Sequence, residues 1–186
     1  MKKQKKQFVI LLILLVVVVA GGLGMIKYVE YTEQKEAEEL AASTIYITNL
    51  DPAEIENFVC WYRTEDKWDE REFVKKDGQW IAMKDPSAEL QQPWMNRMVN
   101  ELAKMTAVEK LEGVVDLAQF GFGDTYKKYI INTADKTYEF WLGGFNDLTD
   151  CYYIYEASEP SVVYSMEPGF ITAFVSTVDA LKVVEE

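Results

Sequence analysis

The chain has 186 residues, 19 basic and 31 acidic side chains, and no histidine. Without histidine, Ser-His-Asp and Cys-His catalysis are excluded, as is every histidine-containing zinc site. The five lysines up to Lys27 meet no acidic residue, so the rest carries 14 basic and 31 acidic residues, a net of −17. That balance argues against nucleic acid or an anionic lipid surface as the partner of this acidic part.

The run from Phe8 to Ile26, FVILLILLVVVVAGGLGMI, has no charged and no strongly polar side chain. At 1.5 Å per residue it reaches roughly 28 Å as a helix, close to the hydrocarbon thickness of a bilayer. It is apolar all round, as a lipid-facing helix must be. Lys2, Lys3, Lys5 and Lys6 precede it, and Glu30, Glu33, Glu36, Glu38 and Glu39 follow Lys27. The positive-inside rule then places the N-terminus in the cytoplasm and the acidic body outside. A cleaved signal peptide is the competing reading, with small residues near Ala20. The run continues through Leu23, Met25 and Ile26, which favours a retained signal anchor.

The expected organisation is a basic cytoplasmic tail over residues 1–7, a transmembrane helix over 8–27, a helical stalk or linker over 28–42, and an extracytoplasmic domain over 43–186. The stalk, YVEYTEQKEAEELAA, is made of good helix formers but has too few apolar positions for a coiled-coil seam.

Within the domain, STIYITN from Ser43 to Asn49 reads as a strand, and Asp51-Pro52 as a turn. Ile55 to Arg63 is a second strand. Arg71 to Lys76 and Gln79 to Met83 flank Asp77-Gly78, a strong hairpin signal because Gly accepts a positive φ. Trp94, Met98, Leu102 and Met105, with Met95 and Val99, recur at helical spacing behind Pro93. Val108 to Leu111 is extended. Two more hairpins follow: 126–133 with 136–142 around Ala134-Asp135, and 151–156 with 161–166 around 157–160. Phe170, Phe174, Val178 and Leu181 form the stripe of a second helix.

Each half thus runs through antiparallel hairpins and ends in one helix. The fold class expected is α+β, with a helix closing each of two similar sub-repeats, 43–111 and 112–182, behind one transmembrane helix.

Several pieces form a wider pattern: Asp77-Gly78 with Trp80, Leu102 in the helix, Phe120-Gly121-Phe122, Gly143 with Asn146, and Tyr152-Tyr153-Ile154 with Val163-Tyr164. In these motifs the chain, over about residues 45–181, resembles a bacterial membrane-anchored domain-of-unknown-function family with extracytoplasmic β-rich repeats. Some relatives of that family resemble auxiliary components of gliding-type ABC transport systems. The family often has a proline after the segment matching Phe120-Gly121-Phe122, where this chain has Asp124-Thr125. The resemblance implies an accessory role beside integral membrane proteins and carries over no catalytic residue.

The residues themselves offer weak chemistry. Asn146, Asp147, Thr149 and Asp150 have oxygen ligands that suit Ca²⁺, but the EF-hand pattern is absent and polar turns look the same. Gly143-Gly144 lacks the lysine and helix start of a phosphate loop and reads as a bulge. Carboxylate pairs such as Glu70 with Glu72, or Asp147 with Asp150, suit a glycosidase only if a cleft brings them together. Cys60 and Cys151 read as buried hydrophobes or as a disulfide. No cofactor or metal is expected. The aromatic strands supply the candidate interaction surface, Trp61, Trp141, Tyr152, Tyr153 and Tyr155. The leading expectation is a non-enzymatic accessory or scaffold subunit of an envelope or ABC-transport complex, tethered in the bilayer through Phe8 to Ile26. The alternatives are an anchored cell-wall glycan-binding module and a glycosidase-like enzyme.

Overall fold

The computed structural model describes residues 42–63, 68–123, 127–174 and 177–184, together with 25, 29, 31, 32 and 35 upstream. The chain divides into two units, Met1–Thr44 and Ile45–Glu186. Residues 25, 29, 31, 32, 35, 42 and 43 of the first unit are helical. The apolar run at 8–26 lies, apart from Met25, outside the described residues. Among the described residues no helix is long and apolar enough to cross a membrane.

The second unit is built on one antiparallel sheet. In chain order the strands are β1 (Ile45–Tyr46), β2 (Ile55–Arg63), β3 (Trp68–Lys76), β4 (Gln79–Ala82), β5 (Thr106–Ala107), β6 (Glu109–Leu111), β7 (Lys127–Thr133), β8 (Thr137–Asn146), β9 (Cys151–Glu156) and β10 (Val163–Met166). Helix α1 (Gln92–Ala103) has twelve residues and helix α2 (Gly169–Thr172) has four. Eight strands pair in the order β4-β3-β2-β7-β8-β9-β10-β6, and β1 pairs with β5 in a separate ladder.

This corrects the expected fold class. The two halves do not form separate hairpin layers each closed by a helix. Strand β2 of the first half pairs with β7 of the second over Phe58↔Ile131 and Cys60↔Tyr129, so one sheet runs through both. Strand β6 crosses to the far edge and pairs with β10. Of α1 and α2, only α1 is a helix of full length. The second stripe is real in its burial, since Phe170, Phe174 and Leu181 are all buried. The α-helix nevertheless stops at Thr172, and a 3-10 turn holds Asp179–Leu181. The sequence between them, Val175-Ser176-Thr177-Val178, is β-branched and hydroxylic, which is poor helix material.

Local chemistry accounts for the elements that do form. In the β3–β4 turn Asp77 has φ 51° and Gly78 φ 81°, the paired positive angles of a type I′ hairpin. Pro93 occupies the first turn of α1, and Met95, Met98, Val99, Leu102 and Ala103 point into the core. Trp94, expected in that stripe, is 45% exposed and lies 5.4 Å under the Arg97 guanidinium. The expected strand from 43 to 49 shortens to β1 because the chain turns inward to finish α1. Buried Thr48 donates its hydroxyl to the Leu102 carbonyl at 2.7 Å and accepts from the Met105 N–H at 2.9 Å. The Leu102 carbonyl is one of the acceptors that a helix C-terminus leaves without an intrahelical partner.

The core lies on one face of the sheet. Phe58 and Cys60 on β2, Phe73 on β3, Trp80 on β4, Tyr129 and Ile131 on β7, Phe140 and Leu142 on β8 and Ile154 on β9 pack with α1 and with Phe170 and Phe174. Tyr129 meets both phenylalanines edge-on, at 5.2 and 5.1 Å. The opposite face holds the alternate residues of each strand and is where the candidate surface collects.

Candidate functional site

Registers across four strands line up Trp61, Lys128, Trp141 and Tyr155 as successive partners on β2, β7, β8 and β9. The Lys128 ammonium sits 5.0 Å from the Trp61 ring centre and 5.0 Å from that of Trp141. It donates to Glu139 Oε1 at 3.2 Å, and Trp141 Nε1–H donates to the same oxygen at 2.9 Å. The lysine side chain is only 17% exposed. Two rings, one cation and one carboxylate therefore form a closed set, in which each charge has an opposite charge or a π-face beside it.

Tyr155 continues the row and packs edge-on against Phe122 at 4.6 Å. Burial, with Glu139 nearby, holds its phenol above the ordinary tyrosine range. Tyr153, two residues back, meets Phe120 edge-on at 4.9 Å and accepts a hydrogen bond from Asn146 Nδ2 at 2.7 Å. Tyr152 points to the helix-covered face, where Phe145 lies 4.8 Å away and the Lys127 ammonium 5.3 Å from its ring. The five candidate aromatics thus separate: Trp61, Trp141 and Tyr155 share one row, Tyr153 flanks it, and Tyr152 belongs to the other side.

Phe120 and Phe122 reach the row because their segment crosses β8 with backbone against backbone. A Cβ on Gly143 would lie 2.5 Å from the Phe120 carbonyl oxygen and 2.8 Å from the Phe122 ring. One on Gly121, at φ +76°, would lie 2.8 Å from the Gly144 nitrogen. The sheet register shifts between Leu142 and Phe145, so Gly143-Gly144 is the bulge that its sequence suggests. Two pieces of the wider pattern, Phe120-Gly121-Phe122 and Gly143 with its strand end, are therefore in direct contact.

The other candidates stay apart from this row. Asn146 spends its side chain on a turn, accepting from the Leu148 N–H at 3.0 Å while donating to Tyr153. Asp150 adopts φ 53° in the same turn. Among the described residues no cluster of three or more potential ligands could hold a metal ion. Glu72 accepts from Asn57 Nδ2 at 2.7 Å, so its carboxylate is engaged along the sheet face. A hollow of about 550 Å³ elsewhere is lined by Arg97, Glu101, Lys104, Glu167, Met166 and Phe170, with charges of both signs.

Cys60 and Cys151 are both free and buried. Strands β7 and β8 separate β2 from β9, three strand spacings or about 14 Å, beyond the reach of a disulfide. Burial pushes the Cys60 thiol up to about 12, against the opposing pull of Arg71.

Sequence reasoning misses Lys128 and Glu139, because a charged residue inside a strand reads as a solvated face. Their alternation with the apolar Tyr129 and Phe140 is the available signal, but only the register shows which strands meet. Comparison with protein-family models, with curated proteins and with solved structures found no match.

Proposed function

We propose that this chain is a single-pass membrane protein whose acidic β-sheet domain lies outside the cytoplasm and serves as a non-enzymatic accessory or scaffold subunit of an envelope complex. The observation that carries the reading is the charge reversal about an uncharged run of bilayer length, from four leading lysines to a body of net −17. Two features of the domain support a scaffold. Its core face is continuous over all the central strands, which makes a rigid platform. Its opposite face carries a charge cluster satisfied from within, by Lys128 and Glu139, rather than one left open for a reacting group. A place beside the permease of an ABC-type transporter is the narrower form of the proposal, supported by the resemblance of the hairpin and strand-end motifs.

The anchored glycan-binding alternative has less support. Sugar stacking needs an open aromatic face. Here Trp61 and Trp141 both present a face to Lys128.

The test is topology and company together. A full chain with a C-terminal epitope, expressed in a bacterial host, loses the epitope to protease added to spheroplasts whose cytoplasmic membrane is intact. In mild detergent it co-purifies with integral membrane proteins of its native membrane. An epitope protected until lysis overturns the orientation, and a lone species recovered in high yield from the native membrane overturns the accessory role.

A further inference from the structure

The two edges of the eight-stranded sheet differ. At the β4 edge the outward groups are filled by the chain itself: Trp80 N–H and C=O pair with the Gln92 carboxamide, and the Ala82 carbonyl accepts from the Asp85 N–H at 3.1 Å. At the other edge, among the described residues, β6 has a strand neighbour only in β10. The Met83 N–H to Glu72 and Ala157 N–H to Glu139 carbonyl bonds fix the alternation of bonded pairs through the sheet. Carried to the last strand, that alternation turns Glu109 and Leu111 inward to Ser165 and Val163 and turns Lys110 outward. Lys110 and Glu112 are exposed, and their charged groups lie 2.5 Å apart along this rim.

An open edge with outward N–H and C=O groups is complementary to another extended strand. Side-chain charge then selects which one. Two copies of β6 can meet antiparallel in three registers that keep the outward groups facing. Centring on Glu109 puts two carboxylates opposite each other, and centring on Lys110 opposes two ammoniums. Centring on Leu111 places Leu111 against its own copy and each Lys110 against the Glu112 of the other copy. Only the last register has complementary charges and an apolar centre. We propose that the β6 edge is a homotypic pairing surface through which two copies of this chain join antiparallel about a two-fold axis at Leu111.

The contact is isologous and therefore closes on itself. The sealed β4 edge prevents further strand addition, so assembly stops at the dimer. A contact this short is weak in free solution. Confinement in a membrane would raise its effective concentration, but the pairing rests on the strand edge and is tested without assuming the anchor.

The experiment is oxidative cross-linking of the full chain in mild detergent, with Leu111→Cys as the reporter. The two-fold register puts this position opposite itself, with Cβ atoms about 4.5–5.5 Å apart. Leu148→Cys, in a turn and 96% exposed, reports random collision. The expected result is rapid disulfide-linked dimer for Leu111→Cys and slow, collision-limited dimer for Leu148→Cys. Adding Lys110→Glu should lower the Leu111→Cys dimer about tenfold, because both cross-strand pairs become repulsive. The double exchange Lys110→Glu with Glu112→Lys should restore it. Equal cross-linking at the two reporter positions overturns the proposal. So does a dimer unchanged by Lys110→Glu.

Discussion

The side chain of Gln92 stands in for a neighbouring strand beside Trp80. Its Oε1 accepts the Trp80 N–H at 2.8 Å, and its Nε2 donates to the Trp80 carbonyl at 3.0 Å and to the Leu90 carbonyl at 3.2 Å. One carboxamide thus reproduces both halves of a peptide hydrogen-bond pair and holds the first turn of α1 against the edge of the sheet. Gln92→Leu removes donor and acceptor together. It should cost about 1–3 kcal/mol, because the Trp80 groups lose their partners, and it should increase aggregation through the uncovered edge. Gln92→Glu keeps the acceptor alone and should fall between. Urea unfolding and light scattering of the three proteins check the order, and a Gln92→Leu variant as stable and soluble as the parent refutes the edge-sealing role.

The Lys128 cluster makes a different prediction, because its charge is mostly covered. Lys128→Met keeps the stem of the side chain and deletes the cation. Loss of two cation–π contacts and of the Glu139 partner should destabilise by about 1–2 kcal/mol. The loss should be nearly independent of salt, since screening acts weakly on a side chain only 17% exposed. Tryptophan emission should shift as Trp61 and Trp141 lose the ammonium between them. Thermal melts at low and high salt with parallel emission spectra are the measurement. A destabilisation that disappears in high salt would mean an ordinary surface ion pair.

Glycine substitutions separate a close backbone approach from open surroundings. Gly143→Ala brings a methyl to 2.5 Å from the Phe120 carbonyl and 2.8 Å from the Phe122 ring, so the crossing segment must lift away. The expected cost is about 1–3 kcal/mol, the usual range for overpacking, with loss of the Phe122–Tyr155 contact. Gly123→Ala meets nothing within 4 Å and should be near neutral. Chemical denaturation of the pair decides it, and equal stabilities would show that the crossing is not tight.

These residues show which parts of the fold are legible in the sequence. The hairpins are, because Asp77-Gly78 and the other turn residues punctuate runs of β-branched and aromatic side chains. Strand β2 is expected at Ile55 to Arg63 and lies there, since nine residues of that composition offer no competing period. The order of the strands is not legible. Glu109–Leu111 returns to pair with Val163–Ser165, more than fifty residues away, and no local pattern announces such a pairing. For the same reason the tryptophans are visible as candidates but Lys128 is not: its place between Trp61 and Trp141 exists only once β2, β7 and β8 are in register. The second helix misleads because the apolar spacing of Phe170, Phe174 and Leu181 suits an α-helix and a turn followed by a 3-10 turn alike. The β-branched residues between them favour the latter.

The buried thiols give a prediction about redox state. Cys60 and Cys151 lie on strands separated by two others, so neither can reach the other in the native fold. With the Cys60 thiol pushed up to about 12 by burial, it carries no reactive thiolate at pH 8. A maleimide or iodoacetamide should label neither cysteine in the native chain and both after unfolding in guanidinium. The sign of the pH effect follows from the raised value. Burial as the neutral thiol contributes stability in full below the unfolded pKa, near 8.5, and that contribution declines as pH rises toward 12. Rapid native labelling of Cys60 at pH 8 would overturn this assignment.

The last contact to test is the clasp at the C-terminal side. Lys182 Nζ lies 2.9 Å from Asp85 and 2.7 Å from Asp179, and its backbone pairs with Leu90 in an antiparallel bridge. The Gln91 N–H donates to the Leu181 carbonyl, and the Val183 N–H donates to the Glu89 carbonyl. Buried Leu181 is thereby tied down beside buried Leu90. Hydrogen bonds from Lys182 and Ser87 hold the Asp85 carboxyl below its ordinary value, and Asp179 and Asp85 raise Lys182 to about 12. A carboxyl with a depressed folded pKa contributes stability that is complete above the unfolded value and is lost as pH falls through the folded one. The clasp should therefore hold at neutral pH and loosen below about pH 4. The raised lysine acts at the opposite end: its contribution is intact below its unfolded value and disappears only as pH approaches 12. Hydrogen-exchange protection of the Leu181 and Val183 amides, corrected for intrinsic rates, should be lost on acidification before that of the β7 amides. Lys182→Met should produce the same local loss at pH 7. If protection at Leu181 and Val183 follows global unfolding under both conditions, the ion pairs are incidental and the backbone bridge alone fastens the segment.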